Sequence, residues 1–497
     1  MFNKKWTVHR LHKWMGLTAA TWLIVLGLTG FLLDHRDTWR WLWQSGVSES
    51  YINDVVVDKS ESGQIKYYQI NPNNPQHHVA GGLTGLWWSG NAGKDWLKTK
   101  FIGVAKAPMI STVLFSAENQ LWIATDDGLW LSINNGMSAL QIELAGSWVS
   151  AITINNEKNM LTGVIERTEL FKYAVESNQL LFIDIKTVNE KSLPKSITLS
   201  RFSRDIHYGR GVFDTSVSLL WNDFSAIALI ILPISGLLFY WLPKKWKKNK
   251  QQNKKVGHAV KKHSIRWLFR IHGPFFGLLA FIPIIYLSMT GILLDHSKEL
   301  RGWMKATQVT RSWQTPVYTM SSWQGEIYGV IDYPDNPTKF SVGTRLGLFT
   351  TLDDGQSWKR EKLVNDKAAF IWTLRRFDKT IFIGGMGSPN LVKENNKPWK
   401  VVKKVGHMPS DITLDEKSNW LWKSRHGISA GKLDSGLNHQ HIELPATEYV
   451  PWFYILDGLH SGIIIHAQWK WINDFIAVLA ILLVITGLIR WWRKKWI

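Results

Sequence analysis

The sequence predicts a membrane protein: a four-helix transmembrane bundle made from a duplicated two-span unit, carrying an all-β, propeller-like extracytoplasmic domain built from two inserts. Three observations predict it. Four stretches are long, apolar and nearly free of charge; the basic residues crowd beside those stretches; and two different repeats run along the chain.

The apolar stretches are 15–33, 224–243, 271–294 and 475–489. A span needs ~20 apolar residues at 1.5 Å rise each, which the first three meet. The fourth is shorter, but Trp469 and Trp471 before it and Trp491 and Trp492 after it suit the bilayer interface. No small-residue cleavage site follows the first stretch, so it reads as an uncleaved anchor.

The 497 residues carry a net charge of +20 and no cysteine. Without thiols there are no disulfides, iron–sulfur clusters, thiolate zinc sites or covalently attached haem. Residues 1–14 hold four Lys/Arg, 244–270 eleven and 490–497 four, with no Asp or Glu among them. The rest of the chain is almost neutral, 40 basic against 39 acidic residues. The positive-inside rule therefore places both termini and the basic linker in the cytoplasm of an inner-membrane protein. Both large polar segments then face the periplasm. A basic excess confined to membrane flanks suits anionic lipid headgroups and argues against nucleic acid.

The domain plan follows. Residues 1–43 form a cytoplasmic tail and the first span, 44–205 the first β half, and 206–243 the second span. Residues 244–270 are the basic linker, 271–300 the third span, 301–456 the second β half, and 457–497 the fourth span and tail.

The membrane unit is repeated. Thr29-Gly30-Phe31-Leu32-Leu33-Asp34-His35 closes the first span and Thr290-Gly291-Ile292-Leu293-Leu294-Asp295-His296 the third. Asn222-Asp223 and Ser235-Gly236 in the second span match Asn473-Asp474 and Thr486-Gly487 in the fourth. Asp223 and Asp474 read as helix N-terminal caps. In the inserts, Gly85-Leu86-Trp87-Trp88-Ser89, Gly128-Leu129-Trp130-Leu131-Ser132 and Gly347-Leu348-Phe349-Thr350-Thr351 each run into Ser/Thr-x-Asp/Asn-x-Gly. A period of 40–50 residues with short strands and Gly/Asn/Asp turns signals propeller blades. Each insert holds three to four, and a single seven- or eight-bladed ring closed by both would hide every strand edge. The turn pattern resembles the Asp-box of sialidase-like propellers, a hairpin device that speaks of fold and not of glycosidase activity.

Histidines sit at the ends of the spans in three repeat-related pairs: His12 with His272 on the inner side, and His35 with His296 and His207 with His460 on the outer side. Imidazoles offered from facing helices are the usual clamp for a b-type haem. The expectation is two haem b groups. His12 and His272 would hold the inner one; the outer one would use His35 with His296, His207 with His460, or a mixed pair. His12 and His35 are 23 residues apart, about 140° out of phase on an ideal helix. His272 and His296 are 24 apart, with Pro274 and Pro283 between them able to kink the helix. Arg210 reads either as a partner for a haem propionate or as an interfacial cation. The adjacent His77 and His78 read as loop surface.

His12-Lys13-Trp14-Met15-Gly16, Thr29-Gly30, Ile206-His207-Tyr208-Gly209, Ile271-His272 and Leu459-His460-Ser461-Gly462 resemble the PepSY-associated transmembrane family. The resemblance covers the spans and their flanks, about a third of the chain. It implies a link to iron uptake and an activity similar to haem-containing ferric-siderophore reductases. His12, His272, His207 and His460 then occupy the family's histidine positions, with His35 and His296 as additions. The inserts depart from the family, with blades in place of a PepSY repeat. The resulting expectation is a ferric-chelate reductase, fed by quinol or a cytoplasmic reductase and acting on a ferric chelate or siderophore. A membrane-anchored propeller that binds or senses a periplasmic ligand, without haem, is the alternative.

Overall fold

The computed structural model describes residues 4–495, except 37, 190–192, 214, 253–256, 311–315, 365–368, 388, 396, 403–407, 418, 425–426, 434–435, 441 and 447–448. The helices are α1 (Lys4–Asp34), α2 (Trp41–Gln44), α3 (Asp54–Gln64), α4 (Leu199–His207), α5 (Thr215–Gln251), α6 (His258–Arg270), α7 (Phe281–Asp295), α8 (Arg301–Ala306), α9 (Trp452–Ser461) and α10 (Lys470–Lys495). Within α1, α5 and α10, the stretches Val8–Asp34, Val217–Gln251 and Lys470–Trp492 are long and apolar enough to cross a membrane. A fourth candidate is broken: His258–Gly277 and Phe281–Asp295 meet at 60°. Pro283 has no N–H for the carbonyl four residues back, and the chain bends where that bond is missing.

A π-turn, Ile271–Gly277, links α6 to this break. It resolves a mismatch between the two copies of the repeat. Seventeen residues separate His12 from Thr29, but eighteen separate His272 from Thr290. A π-turn is a one-residue insertion into an α-helix, so it absorbs the extra residue and keeps both ends in phase. Gly277 is required there, because a Cβ would lie 2.5 Å from the His272 carbonyl oxygen.

α1 packs against α5 and α10, and α7 against α10 and α5. Their shared core holds Met15, Ala19, Leu23, Ala228, Phe276, Ala280, Ile284, Ile476, Leu479 and Ala480. Four alanines let the helix backbones approach closely, as small residues do in apolar surroundings. Gly27 is the tightest point, where a Cβ would stand 2.7 Å from the Ala226 carbonyl of α5.

The polar inserts fold into six sheets with four antiparallel strands each, three from each insert; the second sheet gains a parallel fifth strand, Lys100–Phe101. Among the described residues this corrects the expected seven or eight to six. The first strands are Ile65–Asn71, Ile110–Phe115, Val149–Asn155, Ile327–Tyr333, Phe370–Phe377 and Pro409–Leu414. Each contacts the first strand of the next sheet, and the sixth contacts the first. There Tyr68 N donates to Asp411 Oδ2 at 3.1 Å and Gln69 Nε2 to the same oxygen at 2.8 Å.

The Ser/Thr-x-Asp/Asn-x-Gly motifs build the turns predicted for them. Gly93, Gly136 and Gly355 N–H groups donate to the hydroxyls of Ser89, Ser132 and Thr351 at 2.9–3.0 Å. Asn91, Asn134 and Asp353 accept from the backbone N–H groups of Asp95, Ser138 and Ser357. His77 and His78 are buried on the strand Asn74–Gly82, not on a loop surface. His78 Nδ1 lies 2.8 Å from the Tyr68 hydroxyl, so these two rings serve packing.

Two short ladders tie the inserts together beside the helices. Gly46–Val47 pairs with Val450–Pro451, and Ser196–Thr198 with Gln308–Thr310. Each ladder joins a strand of the first half to one of the second.

Candidate functional site: two histidine pairs

The helices bring four of the predicted histidines together as two pairs. His12 on α1 and His272 in the π-turn have ring centroids 6.2 Å apart. His207, the last residue of α4, and His460 on α9 have centroids 6.3 Å apart. Both rings of the second pair come from short helices that precede the long ones, so the pair sits at the end of the helix cluster nearest the sheets.

Every one of the four rings rests on a Ser/Thr-Gly step of another helix. His12 Nδ1 lies 2.8 Å from Thr486 Oγ1, His272 Nδ1 2.8 Å from Ser235 Oγ, His207 Nδ1 3.0 Å from Thr290 Oγ1 and His460 Nδ1 2.8 Å from Thr29 Oγ1. Each hydroxyl donates its single proton to a carbonyl four residues back, those of Leu482, Ile231, Tyr286 and Val25, at 2.7 Å. A hydroxyl that has given its proton away can only accept from the ring. Nδ1 therefore carries the hydrogen in all four imidazoles, and each Nε2 keeps a free lone pair. That is the tautomer a metal ligand needs.

The glycine after each hydroxyl residue leaves a gap beside the same ring. A Cβ at Gly487, Gly236, Gly291 or Gly30 would have one neighbour within 4 Å, the Cε1 of His12, His272, His207 or His460 respectively, at 3.5 Å. One helix serves both sites. His12 and Gly30 are eighteen residues apart, five full turns, so they share a face of α1 about 27 Å apart.

His35 and His296 take no part in either pair. His35 Nδ1 donates to the Phe31 carbonyl at 2.9 Å, its ring stacks on Trp39, and its Nε2 lies 3.6 Å from Asp223 Oδ2. His296 Nε2 lies 2.6 Å from Asp474 Oδ2. This corrects the reading of the two aspartates as caps: α5 begins at Thr215 and α10 at Lys470, so Asp223 and Asp474 lie inside helices and face histidines. The phase difference between His12 and His35 is thus met by two different surroundings. Arg210 follows α4, where its backbone N–H donates to the Asp205 carbonyl and its charge acts on Asp34.

Sequence reasoning missed the residues that hold the pairs. Thr29, Ser235, Thr290 and Thr486 were visible only as repeat markers, although the same two-residue step, small hydroxyl then glycine, recurs once in each span. It also missed Asn222 and Asn473. The Asn222 amide donates to Asp34 Oδ2 and to the His207 carbonyl, and Asn473 to Asp295 Oδ2 and to the His460 and Ser461 carbonyls. Their side-chain oxygens accept from Tyr286 Oη and Trp22 Nε1. Each asparagine, itself on a long helix, ties the end of a histidine-bearing short helix to two further long ones.

The model of the PepSY-associated TM region matches residues 9–494. The chain belongs to the PepSY-associated transmembrane family. It is accordingly a membrane protein, and the family match extends through the β inserts as well as the spans. The comparison with curated proteins returned no match. Among solved structures, an ancestral GH74 enzyme is 11% identical with a TM-score of 0.35, covering 80% of this chain and 39% of that one. An auxiliary nutrient binding protein from Bacteroides thetaiotaomicron VPI-5482 is 7% identical with a TM-score of 0.36, covering 75% of this chain and 70% of that one. The chain thus spans well under half the length of the first, and likenesses this weak carry no argument.

Proposed function

We propose that this member of the PepSY-associated transmembrane family is an inner-membrane electron-transfer protein with two haem b groups, one between His12 and His272 and one between His207 and His460. The observation that carries the proposal is the spacing of the pairs. Two imidazoles can hold one metal between them only where their rings come close, since each metal–nitrogen bond is about 2.0–2.1 Å. The observed separations are 6.2 and 6.3 Å.

The donor set agrees. Among the described residues no group of three or more His, Cys, Asp or Glu gathers as a metal site, so each pair offers two imidazoles and no more. Two imidazoles suit an iron whose remaining positions belong to a macrocycle. Four apolar helices around the pairs, and a glycine gap beside each ring, suit a flat apolar ring system as well. Haem iron bound there would supply a one-electron couple. The protein's part is to hold each ring through Nδ1 so that Nε2 stays free, and to exclude water from between the helices.

The wider reading is a four-helix bundle under one six-bladed propeller closed jointly by both inserts, with both termini and the basic linker cytoplasmic. The ordered contacts of the first strands and the two ladders between halves support it, as does the segregation of basic residues. Electrons would come from quinol or a cytoplasmic reductase. The acceptor would be a ferric chelate or siderophore in the periplasm, whose iron is released because hard oxygen ligands hold the ferrous ion more weakly.

The test is spectral. Purified protein from haem-replete cells should show a reducible Soret band and two haems per chain by pyridine haemochrome assay. His12→Ala and His207→Ala should each remove one. A colourless protein rejects the proposal and favours the anchored propeller that binds or senses a ligand.

A further inference from the structure

We propose that Thr486, Ser235, Thr290 and Thr29 are positioning residues that set the redox poise of the two centres, each acting from the opposite half of the duplicated chain. The inference rests on the haem reading above and adds to it which residues tune each centre, and in which direction.

The bonds run as a polarised chain. Nδ1–H points at a hydroxyl oxygen, and that hydroxyl gives its own hydrogen to a helix carbonyl at 2.7 Å. Linked hydrogen bonds of this kind strengthen one another in a low-dielectric interior. The pull on the Nδ1 hydrogen raises electron density at Nε2, making the imidazole a more basic ligand. A more basic ligand favours the oxidised, more positive iron over the reduced one. The hydroxyls therefore lower the potential, which suits donation of an electron onward to a ferric chelate.

The exchange across halves is complete. His12 of the first half meets Thr486 of the second, and His272 of the second meets Ser235 of the first. His207 of the first half meets Thr290 of the second, and His460 of the second meets Thr29 of the first. Thr486 and Ser235 thus act on one centre, Thr290 and Thr29 on the other.

The experiment is a spectroelectrochemical redox titration of the full-length protein, wild type against Thr486→Val, Ser235→Ala, Thr29→Val and Thr486→Ser. Thr486→Val keeps the shape and removes the acceptor. It should raise one midpoint potential, by about tenfold in the oxidised-to-reduced ratio, or ~59 mV for one electron, and leave the other in place. Ser235→Ala should move the same component, Thr29→Val the other one, and Thr486→Ser, which retains the hydroxyl, neither. Loss of one haem in Thr486→Val together with an unmoved potential in Ser235→Ala would show a part in holding the cofactor only, and would overturn the tuning role. Potentials unmoved in the first two variants, both components moving together, or Thr486→Ser behaving as Thr486→Val would each overturn it. A colourless wild type would instead overturn the haem reading, and this inference with it, so the two failures are distinguishable.

Discussion

Replacing Gly30 separates the cost of the site from its use. A Cβ at Gly30 would sit 3.5 Å from His460 Cε1, an ordinary contact, with nothing else within 4 Å. Alanine therefore fits without displacing the ring, and it removes the penalty of glycine inside a helix, about 0.8–1.0 kcal/mol. Leucine adds three more carbons beside His460, where they would crowd a flat ligand held by that ring. On the haem proposal, the expected outcome for Gly30→Leu is a folded protein that has lost one of two haems, with the His12–His272 centre spectrally unchanged. Gly30→Ala should be at least as stable as the wild type in preparations from haem-depleted cells, where no cofactor stabilises the native state by mass action. The assays are haem content per chain and the thermal midpoint of the haem-depleted protein. Two full haems in Gly30→Leu would show that the gap is not where the cofactor binds. A large fall in the midpoint of Gly30→Ala would show that glycine is kept for helix packing.

Other outcomes follow from other parts of the fold. Asn473→Leu removes the amide that ties the end of α9 to Asp295 and should lower outer haem content while leaving the inner centre intact, read from the same spectra. The Arg345 guanidinium is buried against Glu326, with its Nε 3.0 Å from Glu326 Oε2. Glu326→Ala strands a buried cation and should cost about 3–5 kcal/mol in denaturant unfolding of the protein, whereas replacing both partners by apolar residues should cost far less. The Asp353 carboxylate is held down at about 2 by hydrogen bonds from the Ser357 hydroxyl, Thr351 and the Ser357 backbone. A depressed folded value means that its stabilising contribution is present above the ordinary carboxylate range and fades as the pH falls toward 2. The difference in thermal midpoint between wild type and Asp353→Ala should therefore be seen at pH 7 and shrink in acid; a difference that grows in acid would contradict the turn geometry.

The elements driven by strong local signals were legible. Apolar runs marked three helices long enough to span and a fourth that is broken, and the Ser/Thr-x-Asp/Asn-x-Gly turns gave hairpins whose bonds are those their chemistry requires. The histidines at His12, His272, His207 and His460 stood out because the duplication marked them twice. What was hidden depends on phase and on distant partners. No spacing rule says that Thr486 will face His12 across 474 residues. The π-turn could not be read from Pro274 and Gly277 alone; it becomes intelligible when the two copies are compared and one is a residue longer. The outer pairing stayed open for the same reason, since three choices share one end of the helices. Local hydrogen bonds hold the other two rings elsewhere: His35 at the Phe31 carbonyl and Asp223, and His296 at Asp474. The sheet count fell below the expected seven or eight because each insert spends residues on helices, ladders and long connections, α3 among them, that period counting assigns to blades.

The duplication explains why both sites and both ladders cross between halves. A contact between two equivalent units related by a two-fold axis is isologous, so each contact from first to second half implies its converse. His12 with Thr486 has its converse in His272 with Ser235, and His207 with Thr290 has its converse in His460 with Thr29. The ladders obey the same rule, Gly46–Val47 with Val450–Pro451 against Ser196–Thr198 with Gln308–Thr310. A single half would leave two Nδ1–H donors without their hydroxyl acceptors, each costing about 1–3 kcal/mol where it stays buried. Neither half could then hold an imidazole in the metal-binding tautomer, because the hydroxyl that fixes it belongs to the other. The basic linker that joins the halves keeps them at equal concentration in one chain, so that the two-fold contact forms within a molecule and needs no second copy.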